Sequence, residues 1–73
     1  MDRTKYLQLC QKYAVDKKQT IIFDNNKYYP VGYVMQFDEK GNPCNIAMLR
    51  DLNNKTIMYA KLERVEEWTE KKL

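Results

Sequence analysis

Histidine is absent from the 73 residues of this chain, and cysteine occurs only twice, as Cys10 and Cys44. The first absence removes the side chain that most often serves as a general base near neutral pH and most often ligates a metal. Two cysteines supply half of the soft ligands that a structural zinc site takes. Neither thiol has the usual basic partner of a nucleophilic cysteine. No acid–base or nucleophile constellation can be assembled, so the sequence offers no catalytic residues, no metal ligands and no cofactor motif, and an enzyme is not expected.

Glycine and proline are also scarce, at two each. So few breakers, with an apolar share of 44%, argue against disorder and against a linker. No apolar run approaches the ~18 residues needed to span a bilayer, so no membrane partner is expected. The start Met1-Asp2-Arg3-Thr4-Lys5 leads into an amphipathic stretch rather than the unbroken apolar stretch of a signal peptide. A cytoplasmic location is the resulting expectation, with Cys10 and Cys44 as reduced thiols in place of a bridge.

What is present can fold as one small α+β domain over residues 1–73. A chain of this length buries only about 60% of the surface its unfolded form exposes, so its core must be small. Nine aromatic residues carry much of that core, each large ring burying about 150–250 Å². Tyr13, Met35 and Ile46 are among the side chains expected inside. Net charge is +3, and all of the excess lies in residues 1–18, where five basic groups face two acidic ones. The remainder is balanced, unlike the dense basic stripe of most nucleic-acid binders.

The first segment reads as a helix over residues 3–17. Tyr6, Leu9, Cys10, Tyr13 and Ala14 recur at three- and four-residue spacing on one stripe, and Leu7 widens it. Asp2 is placed to cap the N-terminus. Lys17 and Lys18 fall in the expected last turn, where cations suit the helix dipole. Arg3, Lys5, Lys12 and Lys18 are too sparse for a membrane anchor and make a modest phosphate-contacting surface at best.

The remainder reads as an antiparallel meander of four to five strands. Thr20–Phe23 is short and runs into Asp24-Asn25-Asn26, residues that tolerate positive φ in a tight hairpin. Lys27–Phe37 is the longest strand, with Pro30 and Gly32 placing a bulge or sharp bend inside it. Asp38–Asn42 forms a second hairpin loop with Gly41 at its positive-φ position. Cys44–Arg50 and Thr56–Ala60 follow, joined by Asp51–Lys55. Leu62, Val65 and Trp68 then recur every three residues, as in a 3₁₀ turn or short terminal helix whose outer face carries Glu63-Arg64 and Glu66-Glu67. Short strands, tight hairpins and a bend near Pro30 favour closure, which removes exposed edges. That layout resembles the SH3-like barrel in pattern alone.

Few residues suggest a site. Asp24, Asp38 and Asp51 each open a hairpin loop and read as turn caps, not converging metal ligands. The acidic run Glu63, Glu66, Glu67 and Glu70 reads as a solvated face, with docking of a basic partner as its functional reading. Cys10 reads as a buried small hydrophobe and Cys44 as an exposed strand-start thiol. The most distinctive stretch is Tyr28-Tyr29-Pro30-Val31-Gly32-Tyr33. Alternation along a strand sends Tyr28 and Tyr29 to opposite faces, so one of the two rings is expected in solvent. That ring, with Tyr59 or Trp68, would make an aromatic platform for a peptide. With Lys27, Arg50, Lys55 and Lys61 nearby it would instead stack single-stranded bases.

The expected function is therefore a small non-catalytic cytoplasmic module acting by protein–protein contact. Small size and the lack of catalytic groups suit an accessory or inhibitor protein of a phage or mobile element. The alternative is a small-barrel nucleic-acid-binding protein using lysine and tyrosine.

Overall fold

The computed structural model describes residues 1–53 and 56–67. They form helix α1 (Arg3–Asp16), strands β1 (Ile21–Phe23), β2 (Asn26–Phe37), β3 (Pro43–Asp51) and β4 (Ile57–Lys61), a 3₁₀ turn (Leu62–Arg64) and strand β5 (Glu66–Glu67). The strands make one antiparallel sheet in the order β4-β3-β2-β1-β5, and α1 packs on it, chiefly along β2. Among the described residues β4 and β5 are its two edges, so the expected closure is not seen.

The ends of α1 follow from local chemistry. The Asp2 carboxylate accepts from the Thr4 amide at 2.9 Å, as the sequence predicts. The helix stops at Asp16 because Lys17 takes a left-handed conformation, φ 60°, and its amide donates to the Tyr13 carbonyl at 2.9 Å. Lys17 and Lys18 thus lie past the last turn, not within it. The Lys17 ammonium sits 4.9 Å from the centroid of the Tyr13 ring instead.

The hairpins form where expected. Asp24 and Asn25 both carry positive φ (54° and 67°), and Gly41 does so at 83°. Asp38 and Asp51 cap their loops, with Asp38 Oδ1 accepting from Lys40 and Asn42 amides and Asp51 Oδ1 from Asn53. Asp24 differs: its own backbone makes the turn, and its carbonyl accepts from the Asn26 amide group. Of the two expected forms after β4, a 3₁₀ turn or a short terminal helix, the chain takes the 3₁₀ turn. The turn ends at Arg64, and Glu66 and Glu67 pair with Ile22 and Ile21 of β1 as β5.

The core is one cluster: Tyr6, Leu9, Ile21, Ala47, Leu49, Ala60, Leu62 and Val65. Ala47 and Ala60 lie directly opposite one another. Two methyl groups there leave depth for larger side chains such as Tyr6 and Leu9 in the same cluster. This corrects part of the expected interior. Ala47 and Leu49 take the inner face of β3, so alternation turns Ile46 to the other face, where it is half-buried. Tyr13 is likewise half-buried, while Ala14 and Leu7 are exposed. Met35 is exposed because β1 pairs with β2 no farther than Tyr28 and β4 reaches no farther along β3 than Ile46. Beyond those points β2 and β3 run on as a two-stranded arm that carries Met35 and Phe37 past the core.

Inside β2 the register shifts between Pro30 and Gly32. Pro30 faces Leu49, Gly32 faces Met48, and Val31 is the extra residue. Pro30 has no N–H to donate, and it is buried beside this bulge. A Cβ on Gly32 would come within 3.1 Å of the Met48 sulfur. Helix α1 closes onto the interruption: the Tyr6 hydroxyl donates to the Met48 carbonyl at 3.0 Å, and the Cys10 thiol lies 4.0 Å from the Gly32 carbonyl. Burial pushes both acidities down, raising the pKa of the Tyr6 phenol well above the tyrosine range and raising that of the Cys10 thiol.

The Tyr6 phenol stays neutral in the fold, whereas an unfolded tyrosine ionises near pH ~10. Its contribution is complete below that pH and is lost as pH rises above it. Tyr6→Phe strips the donor from Met48 and should cost about 1–2 kcal/mol at neutral pH. It should also flatten the alkaline fall in urea midpoint relative to the unaltered chain; parallel curves above pH 10 would contradict this. Backbone hydrogen bonds, the Asn42 amide first, hold the Asp38 carboxyl below the usual aspartate range. That contribution exists above the ordinary aspartate pKa and fades as pH falls through the lowered one. Asp38→Ala should therefore lower the hydrogen-exchange protection factors of Lys40 and Asn42 at neutral pH, and acid should lower them in the unaltered chain once the slower intrinsic exchange is taken into account.

Candidate functional site

Cross-strand register places much of the sequence-predicted set on one surface. Residues directly opposite in antiparallel strands share a face. Tyr29 faces Arg50, and Arg50 faces Ile57, forming one row. Gly32, Met48 and Tyr59 form the next, and Val34, Ile46 and Lys61 the third. Lys27, two residues before Tyr29 and opposite Ile22, continues the same face. This outer face turns away from the Ala47–Leu49–Ala60 core. Five candidates therefore converge on it: Lys27, Tyr29, Arg50, Tyr59 and Lys61.

Their settings differ. Tyr59 is 62% exposed and Ile57 42%, both on edge strand β4. Arg50, Met48, Ile46 and Val34 are half-buried, and Lys27 and Lys61 are exposed. The expectation that one of the adjacent tyrosines stands in solvent is not met, since both are half-buried. Tyr28 packs against the core beside Phe23, their ring centroids 6.3 Å apart. The Tyr29 ring lies 5.0 Å from that of Tyr13. Tyr29 therefore stands in the row of Arg50 by register while its ring is taken up by a residue of α1. The exposed ring of the outer face is thus Tyr59. Lys55 and Trp68 lie outside the described residues.

The charge on this face has one sign across its three central rows, which carry Arg50 and Lys61 and no acidic residue. Among the described residues neither cation has an ion-pair partner, and the ion pair found there joins Lys5 to Glu67 at 3.5 Å, on the helix side. Glu66 faces outward opposite Ile22, on β5, three strands away from β3. A guanidinium half-buried among apolar side chains without a carboxylate is an incomplete interaction.

The remaining candidates do not assemble a reactive centre. Cys10 and Cys44 are free thiols. Cys10 lies at Gly32 and Cys44 pairs with Gln36, about 13 Å farther along the strand at 3.3 Å per residue. Among the described residues no three His, Cys, Asp or Glu side chains are grouped to hold a metal, and no helix is long and apolar enough to cross a membrane. Comparison with protein-family models, curated proteins and solved structures gives no match.

Sequence reasoning missed Met48, Ile57, Ile46 and Val34 as parts of one surface. The alternation Ile46/Met48 and Ile57/Tyr59 was visible in each strand, but the pairing that sets them on the same side as Arg50 was not. Substitutions should separate the two sides of the sheet. Tyr59→Ala should change stability by no more than about 0.5 kcal/mol. Tyr28→Ala should cost about 2–3 kcal/mol through lost burial, and Tyr29→Ala about 1 kcal/mol through the lost Tyr13 contact. Urea unfolding of the three variants checks the order.

Proposed function

We propose that this chain is a non-catalytic binding module that acts by protein–protein contact through the outer face of its sheet. The observation that carries the reading is the composition of that face: exposed Tyr59 and Ile57 over half-buried Met48, Ile46 and Val34, bordered by Arg50 and Lys61. An apolar centre with a polar border, with aromatic and arginine side chains prominent, is the anatomy of a protein interface. The reading of the fold as a small SH3-like barrel is supported by the strand order, by β1 lying between β2 and β5, and by the 3₁₀ turn that leads into β5. Small size and a sequence without histidine or a nucleophile–base pair suit a cytoplasmic accessory or inhibitor protein of a phage or mobile element.

The second reading is binding of single-stranded nucleic acid. It is favoured by the placement of Lys27, Arg50, Lys61, Tyr29 and Tyr59 on one face. A stacking surface gains from successive free rings, and here the Tyr29 ring is already in contact with Tyr13.

Affinity capture from the native host's lysate, with and without nuclease, separates the two. A protein captured equally in both arms, and lost with the double substitution Ile57→Ala/Tyr59→Ala while the thermal melt is unchanged, supports the first reading. Capture abolished by nuclease, with affinity falling steeply as salt rises, supports the second and overturns the first.

A further inference from the structure

The outer face has a charge pattern that selects what covers it. Arg50 and Lys61 stand two rows apart, with Met48 and Tyr59 in the row between them. Four residues of strand separate the two cationic rows, about 13 Å at 3.3 Å per residue. Among the described residues neither cation has an ion-pair partner, and Arg50 is half-buried between Tyr29 and Ile57. A guanidinium in that position presents a planar fork that matches a carboxylate. Resting on the protein-docking reading, we propose that the partner is an acidic protein segment whose two carboxylates, about 13 Å apart, meet Arg50 and Lys61 while an apolar side chain between them packs on Tyr59 and Met48.

Charge argues against the other occupants. A second copy of this chain would bring cations against cations across the interface, because no acidic residue stands in the three rows. A nucleic acid would satisfy the cations but leave the Ile57, Met48 and Ile46 surface facing a polar backbone. An extended segment with carboxylates at positions i and i+4 and an apolar residue at i+2 satisfies both requirements. All three side chains then lie on one side of the strand at the right spacing.

The test is a titration of the isotopically labelled chain, followed by amide chemical shifts. The probe is a synthetic peptide with two glutamates four residues apart, a leucine midway and threonines elsewhere. Its controls replace both glutamates by glutamine or by lysine, and a further arm uses oligo(dT). The expected result is saturable shifts in β3 and β4 around Arg50, Met48, Tyr59 and Lys61 with the glutamate peptide. Binding should be at least tenfold weaker with either control peptide. Arg50→Gln should weaken binding about tenfold or more, and Arg50→Lys less, while circular dichroism shows both variants folded.

Equal binding of the glutamine peptide, or no effect of Arg50→Gln, overturns the acidic partner and leaves the docking reading in place. Shifts on this face from oligo(dT) alone, or from no probe at all, overturn both. Sedimentation that shows a dimer held through β3 and β4 also overturns the proposal.

Discussion

The bond from the Tyr6 hydroxyl to the Met48 carbonyl joins the helix to the sheet at the point where the sheet is interrupted. Pro30 and Gly32 bring a bulge into β2, and Met48 is the residue opposite the far side of that bulge. A carbonyl beside a broken ladder needs a donor. The same side chain that supplies it also fills the core with its ring. The helix is too short to persist by itself, and the sheet has an apolar face that needs a cover. Tyr6 serves both needs, and Leu9, one turn on, extends the contact into the Ala47, Leu49 and Ala60 cluster.

That arrangement decides which side of the sheet is left for other molecules. Once α1 occupies the side of Ala47 and Leu49, Ile46, Met48 and Arg50 must face the other way. The outer face then collects apolar side chains that a small protein with one core has no second layer to cover. Ile57 and Tyr59 remain exposed on edge strand β4. Among the described residues Arg50 and Lys61 have no ion-pair partner: the outward acidic group in the register, Glu66, sits on β5, while Glu67 is turned to the helix side and meets Lys5. One residue of alternation separates a carboxylate held within the molecule from one that faces outward.

Much of the fold was legible along the chain. The Asp2 cap, the Tyr6–Leu9 stripe, the positive-φ turns at Asp24-Asn25 and Gly41, and the bend at Pro30–Gly32 each follow from local chemistry. The misreadings also have local causes. Leu62 and Val65 do mark a 3₁₀ turn, but Glu66 and Glu67, expected on its outer face, are recruited by the open edge of β1. Met35 and Phe37 alternate as a core strand would, yet they lie on an arm whose neighbours have ended. Ala14 keeps helical phase with Tyr6 and Cys10, but at the end of α1 it is exposed.

The amino-acid sequence by itself determined where the chain turns and which residues alternate together, because φ preferences and side-chain periodicity act within a few residues. Only the tertiary structure decided which alternating set lies inward, that Tyr29 leans on Tyr13, and that Arg50, Tyr59 and Lys61 share a face. Those outcomes depend on strand register, and a slip of one residue would exchange the two faces of the sheet. Register here is set by contacts between residues far apart along the chain, among them Tyr6 with Met48 and Ala47 with Ala60.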